Sequence, residues 1–132
     1  MIKLRIELNK ILKSIHPNII IEGKSISRVH FQKATDTTPY PYIVYDFPQG
    51  YDNEGQEIFN LDIDIWDNNI DTTELETLAG AIWKKLNKYY FIDDDMQFSI
   101  HRVSRFTVDE DDDIKRRTLM FNIRYYDRRV NE

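Results

Sequence analysis

Apolar residues near the start of the chain recur at three- and four-residue steps. Leu4, Leu8, Ile11, Leu12 and Ile15 form one stripe, and Lys3, Arg5, Glu7, Lys10 and Lys13 fill the other faces. That spacing predicts an amphipathic helix over 2–15. Pro17 ends it, because proline keeps the residue before it out of the helical region. An apolar run, Ile19–Ile21, leads to Gly23, and the weak alternation of Ser27, Val29 and Phe31 predicts a short strand within 25–33. Residues 34–41, ATDTTPYP, read as a loop. Residues 42–47 are a β-rich run stopped by Pro48, and 49–56, QGYDNEGQ, read as a hairpin loop.

Residues 57–66 carry the clearest period. Phe59, Leu61, Ile63 and Ile65 point one way, and Asn60, Asp62, Asp64 and Trp66 the other. A period of two with one apolar face predicts a half-buried strand. The polar break Asp67-Asn68-Asn69 follows, and then a second helix. Asp71 and Glu74 have the spacing of a capping box. Leu75, Leu78, Ala79, Ile82 and Leu86 form the buried stripe, joined by Trp83 and Tyr89. Gly80 costs that helix about 1 kcal/mol, which marks a close approach by another element. Residues 96–108 and 115–127 are two further strands around an acidic turn. In the second, Leu119, Phe121, Ile123 and Tyr125 face inward, while Thr118, Met120, Asn122, Arg124 and Tyr126 face out. The predicted fold is α+β: an antiparallel or mixed sheet of four to five strands with two helices on one face, in a single domain over 1–132.

Composition narrows the chemistry. The 132 residues include no cysteine, which excludes a disulfide scaffold, a thiolate zinc site and a cysteine nucleophile. No apolar run approaches the ~20 residues of a membrane-spanning helix, and the start of the chain lacks a signal-peptide pattern. The net charge of −5 is unevenly spread. Residues 1–33 carry seven bases and two acids, 34–113 five bases and nineteen acids, and 114–132 six bases and two acids. Either the basic ends lie against the acidic middle within one fold, or unlike-charged faces meet between subunits.

His16, His30 and His101 share no metal-binding spacing. The acidic turn Asp109, Glu110, Asp111, Asp112 and Asp113 lacks the EF-hand spacing and its glycine, and reads as a solvated hairpin tip. Asp62 and Asp64 sit two apart on one strand face, the arrangement of some metal-dependent nucleases. Arg102 and Arg124, facing them from other strands, make a salt ladder the more economical reading. The four glycines form no phosphate-binding loop, and no serine sits in a nucleophile elbow. Arg116, Arg117, Arg124, Arg128 and Arg129 with Tyr125 and Tyr126 are a basic, aromatic cluster of the kind nucleic-acid binders use. Strand alternation splits that cluster between two faces, and the chain as a whole is acidic. Tyr40 and Tyr51, in loops flanking the 42–47 run, are harder to bury than its strand residues, and tyrosine is enriched in protein interfaces.

The order of these pieces carries a resemblance. Pro39-Tyr40-Pro41-Tyr42-Ile43-Val44 leads into a strand, and a hairpin follows. Next come Phe59-Asn60-Leu61-Asp62-Ile63-Asp64-Ile65-Trp66, a polar break, the helical run ELETLAGAIWKKL over 74–86, and strands ending in Arg124-Tyr125-Tyr126. Over residues 1 to about 128 this resembles the tail-completion or tail-terminator proteins of long-tailed bacteriophages, although the acidic 109–113 turn has no counterpart in the pattern. The resemblance implies a ring, typically of six copies, that caps the head-proximal end of the tail tube. Such a ring halts tube growth and offers a surface to the neck of the capsid. It implies partners in the chain's own copies, the major tail tube protein and a head-neck connector protein. DNA passes only through the lumen, and no membrane, cofactor or catalytic residue is involved. The expected location is the neck end of the virion tail, and the host cytoplasm during assembly. Another head-tail connector component is the alternative within the same class. The expected interface residues are Tyr40, Tyr51, Asp52 and Asn53 in loops, Asp109, Glu110, Asp111, Asp112 and Asp113 at a hairpin tip, and Arg128 and Arg129 at the end of the last strand.

Overall fold

A computed structural model describes residues 2–109 and 113–129. The elements in chain order are α1 (Ile2–Ile15), β1 (Ile19–Ile21), β2 (Lys24–Ile26), β3 (Val29–Phe31), β4 (Tyr42–Asp46), β5 (Gly50–Asn53), β6 (Gln56–Asp67), α2 (Thr73–Leu86), β7 (Tyr90–Ile92), β8 (Met96–Asp109) and β9 (Lys115–Asp127). β1 and β2 form a separate two-stranded hairpin, and the other seven strands form one sheet. The α+β class is as expected, but the four to five strands expected are too few. The short strands β5 and β7 have no alternation long enough to read, and the single strand expected within 25–33 is two, β2 pairing with β1 and β3 with β4.

β6 organises the sheet. On one side it pairs antiparallel with β9 from Glu57↔Tyr125 to Asp67↔Lys115. On the other side it pairs with β4 over its second half and with β5 over its first. Phe47, Pro48 and Gln49 interrupt that second partner, since proline has no donor for the ladder. Asn60 N–H still reaches the Gln49 carbonyl at 2.8 Å. β8 extends the sheet beyond β9, and β7 covers only the first part of β8. β3 adds to β4 in parallel.

Every second residue of β6, from Phe59 to Ile65, is buried, as its period requires. Phe98 and Ile100 of β8 and Leu119, Phe121 and Ile123 of β9 share that face. Both helices cover it. α2 lays Leu75, Leu78, Ala79, Ile82 and Leu86 on the sheet, and α1 adds Leu4, Leu8, Ile11 and Leu12 beside it. The Tyr45 hydroxyl donates to Asn9 Oδ1 at 2.6 Å, which fixes α1 to β4. Burial pushes that phenol up to about 12.

Three local readings are corrected. The 49–56 segment is not one loop. Its turn is only Glu54 and Gly55, with φ of +53° and +87°, the conformation of a two-residue hairpin turn matched to strand twist. Tyr51, Asp52 and Asn53 are therefore strand residues. Asp71 and Glu74 make no capping box. Asp71 Oδ1 instead accepts from Thr73 N–H at 2.9 Å and the Thr73 hydroxyl at 2.6 Å, one residue ahead of the helix cap Thr72. Nothing approaches Gly80: a Cβ there would meet no atom within 4 Å. Gly50 is the close approach, since a Cβ there would stand 2.6 Å from the Phe59 ring. Phe47 and Tyr125, with ring centres 6.0 and 5.9 Å away, keep that ring from moving aside.

These two glycines make opposite predictions. Gly80→Ala raises stability by about 0.5–1 kcal/mol through helix propensity and lost unfolded-state entropy. Gly50→Ala lowers it by about 1–3 kcal/mol by overpacking. Urea midpoints of the two variants against the parent check both signs.

Candidate functional site

The face of the sheet opposite the helices is built of cross-strand rows, which the register defines. One row runs Asp46, Asp62, Met120, Ser104, and the next Val44, Asp64, Thr118, Phe106. A third runs Tyr42, Trp66, Arg116, Val108, with Tyr42 stacked on Trp66 at 6.4 Å and the Arg116 guanidinium 4.9 Å over the Trp66 ring. The loop over 32–41 folds onto one corner of this face. Between them lies an open cavity of about 470 Å³ bounded by Lys33, Thr35, Asp36, Tyr40, Asp64 and Trp66.

The salt ladder expected for Asp62 and Asp64 does not form. Asp64 stands opposite Thr118, whose hydroxyl donates to it at 2.6 Å, and Asp62 stands opposite Met120. Arg124 is opposite Ile58, several residues away along the strand. Arg102 is on the helix side, where it donates to the Trp83 carbonyl at 3.1 Å and lies over its ring. Asp46 is the residue across from Asp62 on the other strand. Burial first, then the charges of Asp64 and Asp46, hold the Asp62 carboxyl above the usual carboxylate range. Among the described residues no group of three or more His, Asp or Glu side chains has the geometry to hold a metal ion.

The histidines occupy separate places. His16 ends α1, buried, with Nε2 2.7 Å from the Pro41 carbonyl oxygen. Burial is the main cause that lowers its pKa. His30 Nε2 lies 3.3 Å from Thr38 Oγ1, and His101 Nε2 lies 2.9 Å from Ser99 Oγ.

The expected interface residues fall at two ends of the sheet. β6 spans roughly 33 Å between its Glu57 and Asp67 positions, at about 3.3 Å per residue. At the Glu57 end are Tyr51, Asp52 and Asn53 of β5, all exposed, together with Arg128 and Arg129 just past β9. Arg129 ion-pairs with Asp95, which also takes Lys3, and Arg128 donates to the Asp93 carbonyl. At the Asp67 end are Tyr40, half-buried with its ring 5.2 Å from Tyr42, and the end of β8 at Asp109 with the exposed Asp113 beyond it. Glu110, Asp111 and Asp112 lie outside the described residues.

The outer half of β8 was legible as a strand, but none of its residues stood out as an interface. Among the described residues β7 pairs only with Gln97, Phe98 and Ser99, so no strand pairs with the edge from His101 to Asp109. A bulge between Arg102 and Ser104 adds Val103 to the strand. It moves Phe106 to the outer face and Arg105 to the helix side, where its guanidinium lies 5.3 Å over the Trp83 ring. The signal in the chain is the loss of alternation at Arg102-Val103-Ser104-Arg105.

The same architecture occurs in a solved chain of the virion of a native gene transfer agent particle. The superposition has a TM-score of 0.63 and covers 87% of this chain and 84% of that one, at 13% identity. At that identity the fold is what the two share. No family model matches the chain, and no curated protein matches it.

Two pH dependences follow. The raised Asp62 pKa means that the folded state holds this proton more tightly than the unfolded state. Its contribution favours folding at low pH and is lost as pH rises from about 4 through the raised value. Asp62→Asn therefore stabilises at pH 7 by about 0.2–1 kcal/mol, the size of a like-charge cross-strand pair, and the gain fades at pH 3.5. His16 has the opposite sign. Its lowered pKa contributes stability that is complete above about 6.5 and declines as pH falls below that value. His16→Gln, which retains a donor for the Pro41 carbonyl, flattens the decline between pH 7 and 5. Denaturant titrations across these ranges measure both.

Proposed function

We propose that this chain is a structural subunit of a phage or phage-like particle. In this reading it acts in tail completion: a ring of copies caps the head-proximal end of the tail tube, stops its growth and presents the surface that joins the head. Its work is binding, with no catalytic residue. Its partners are its own copies, the tail tube protein and a head-neck connector protein, and DNA passes only through the lumen. The carrying observation is the fold shared with a virion chain over 87% of this chain. The order of motifs that resembles tail-completion proteins narrows that class to the neck end of the tail. The disposition of exposed groups agrees with it, since a subunit between tube and head needs contact groups at opposite ends. Arg128 and Arg129 stand at one end of β6 and Asp113 at the other.

Electron microscopy of polymerising tail tubes with and without the protein tests the reading. The expected result is a ring on one end of each tube and an arrest of elongation. Tubes that keep growing with bare ends overturn it, and a ring that binds only the portal side of capsids moves the protein to the connector role.

A further inference from the structure

We propose that copies of this chain join edge to edge, β5 of one copy adding antiparallel to the open outer half of β8 of the next. The proposal rests on the reading of a ring-forming subunit and names the contact that builds the ring. Both edges are open among the described residues. β8 has β9 on one side and, from His101 to Asp109, no strand on the other. β5 has β6 on one side and none on the other. Open edges present unpaired backbone donors and acceptors that another strand satisfies. Val103 and Phe106 on the first edge are 52% and 48% exposed, and Tyr51 on the second is 52% exposed.

The two edges match in charge and in face. Asp52 is on the helix side of the sheet, opposite Glu57, and makes no ion pair among the described residues. Arg105 is on the helix side of β8, over Trp83, and it too makes no ion pair among the described residues. Tyr51 and Phe106 are both on the outer face. Pairing Asp52 with Arg105 therefore brings Tyr51 opposite Phe106 and keeps the helices of both copies on one side. Association of this kind is heterologous, the type that closes rings.

The offset also fits. Asp52 stands in the row of Glu57, and Arg105, through Leu119, in the row of Ile63, six residues further along β6. Six residues are roughly 20 Å along the strands, and the four strands from β5 to β8 are roughly 19 Å across. The strands then tilt by roughly 45° from the ring axis, at the upper end of what closed sheets adopt. The same offset carries β3 past the end of the neighbour's β8, and β7 past the Glu54-Gly55 turn. In register, the two short strands that cover the remaining edges overlap neither paired segment.

Because the chain has no cysteine, a paired substitution reports the contact directly. The double variant Asp52→Cys with Arg105→Cys is oxidised and run on non-reducing gels beside each single variant, with the unmodified chain followed by sedimentation velocity. The expected result is a ladder of covalent multimers from the double variant that collapses on reduction, with single variants stopping at dimers. Thermal melts matching the parent establish that the variants fold. A multimeric parent with no ladder overturns the β5–β8 contact and leaves the ring reading standing. A parent that stays monomeric at the highest soluble concentration, with no ladder, also overturns the contact, while the ring reading stands or falls on the microscopy of tube ends. As a second arm, Asp52→Arg weakens association at least tenfold, and adding Arg105→Asp restores it; failure of the restoration also overturns the contact.

Discussion

The pairing of β6 with β9, unbroken from Glu57 to Asp67, is the constraint on which the other elements depend. It aligns Phe59, Leu61, Ile63 and Ile65 with Ile123, Phe121, Leu119 and Arg117 on one face. A slip of one residue in β6 would carry Asp62 and Asp64 into the apolar layer and expose Leu61 and Ile63. Burying an unpaired carboxylate costs several kcal/mol, so the register has no close competitor. Once it is set, the helices have one apolar surface to cover, and both go there.

Charge is partly absorbed within the fold. Lys3 and Arg129 meet at Asp95, and Arg117 meets Glu76, so the basic ends do lie against the acidic middle. Arg117 is buried while Glu76 is largely exposed, so water screens the carboxylate and the pair contributes little. Asp46 across from Asp62 is not absorbed at all. Neither reading of the charge pattern holds alone: neutralisation accounts for the two termini of the chain, and the sheet face and its β5 edge remain acidic.

The bulge at Val103 has consequences beyond its own strand. Without it Phe106 would sit on the helix side and Arg105 outside. With it, the outer half of β8 carries its bases over Trp83 and its aromatic ring outward, along an edge that no strand covers among the described residues. A long open edge is a liability in a soluble monomer. In a subunit that adds to its neighbours it is a joining surface, which links the local geometry to the proposed assembly.

Long periodic segments were legible from the residues. α1, the core of β6, the buried stripe of α2 and the inward face of β9 follow from steps of three to four or of two, because burial of one face is a local pattern. The short strands were not legible. β5 and β7 exist because β6 and β8 offer them a template, and three or four residues carry no period. The role of Gly80 was misread because a glycine in a helix does not say whether a neighbour approaches. The resemblance in motif order implied an α+β fold, and the fold shared with a virion chain agrees with that much. The candidate site is the part that only tertiary structure decided. Tyr51 and Asp52 looked like loop groups, and Phe106 carried no mark. Their common place on open edges depends on which strand ends lack partners, a property of the whole sheet that no single segment encodes.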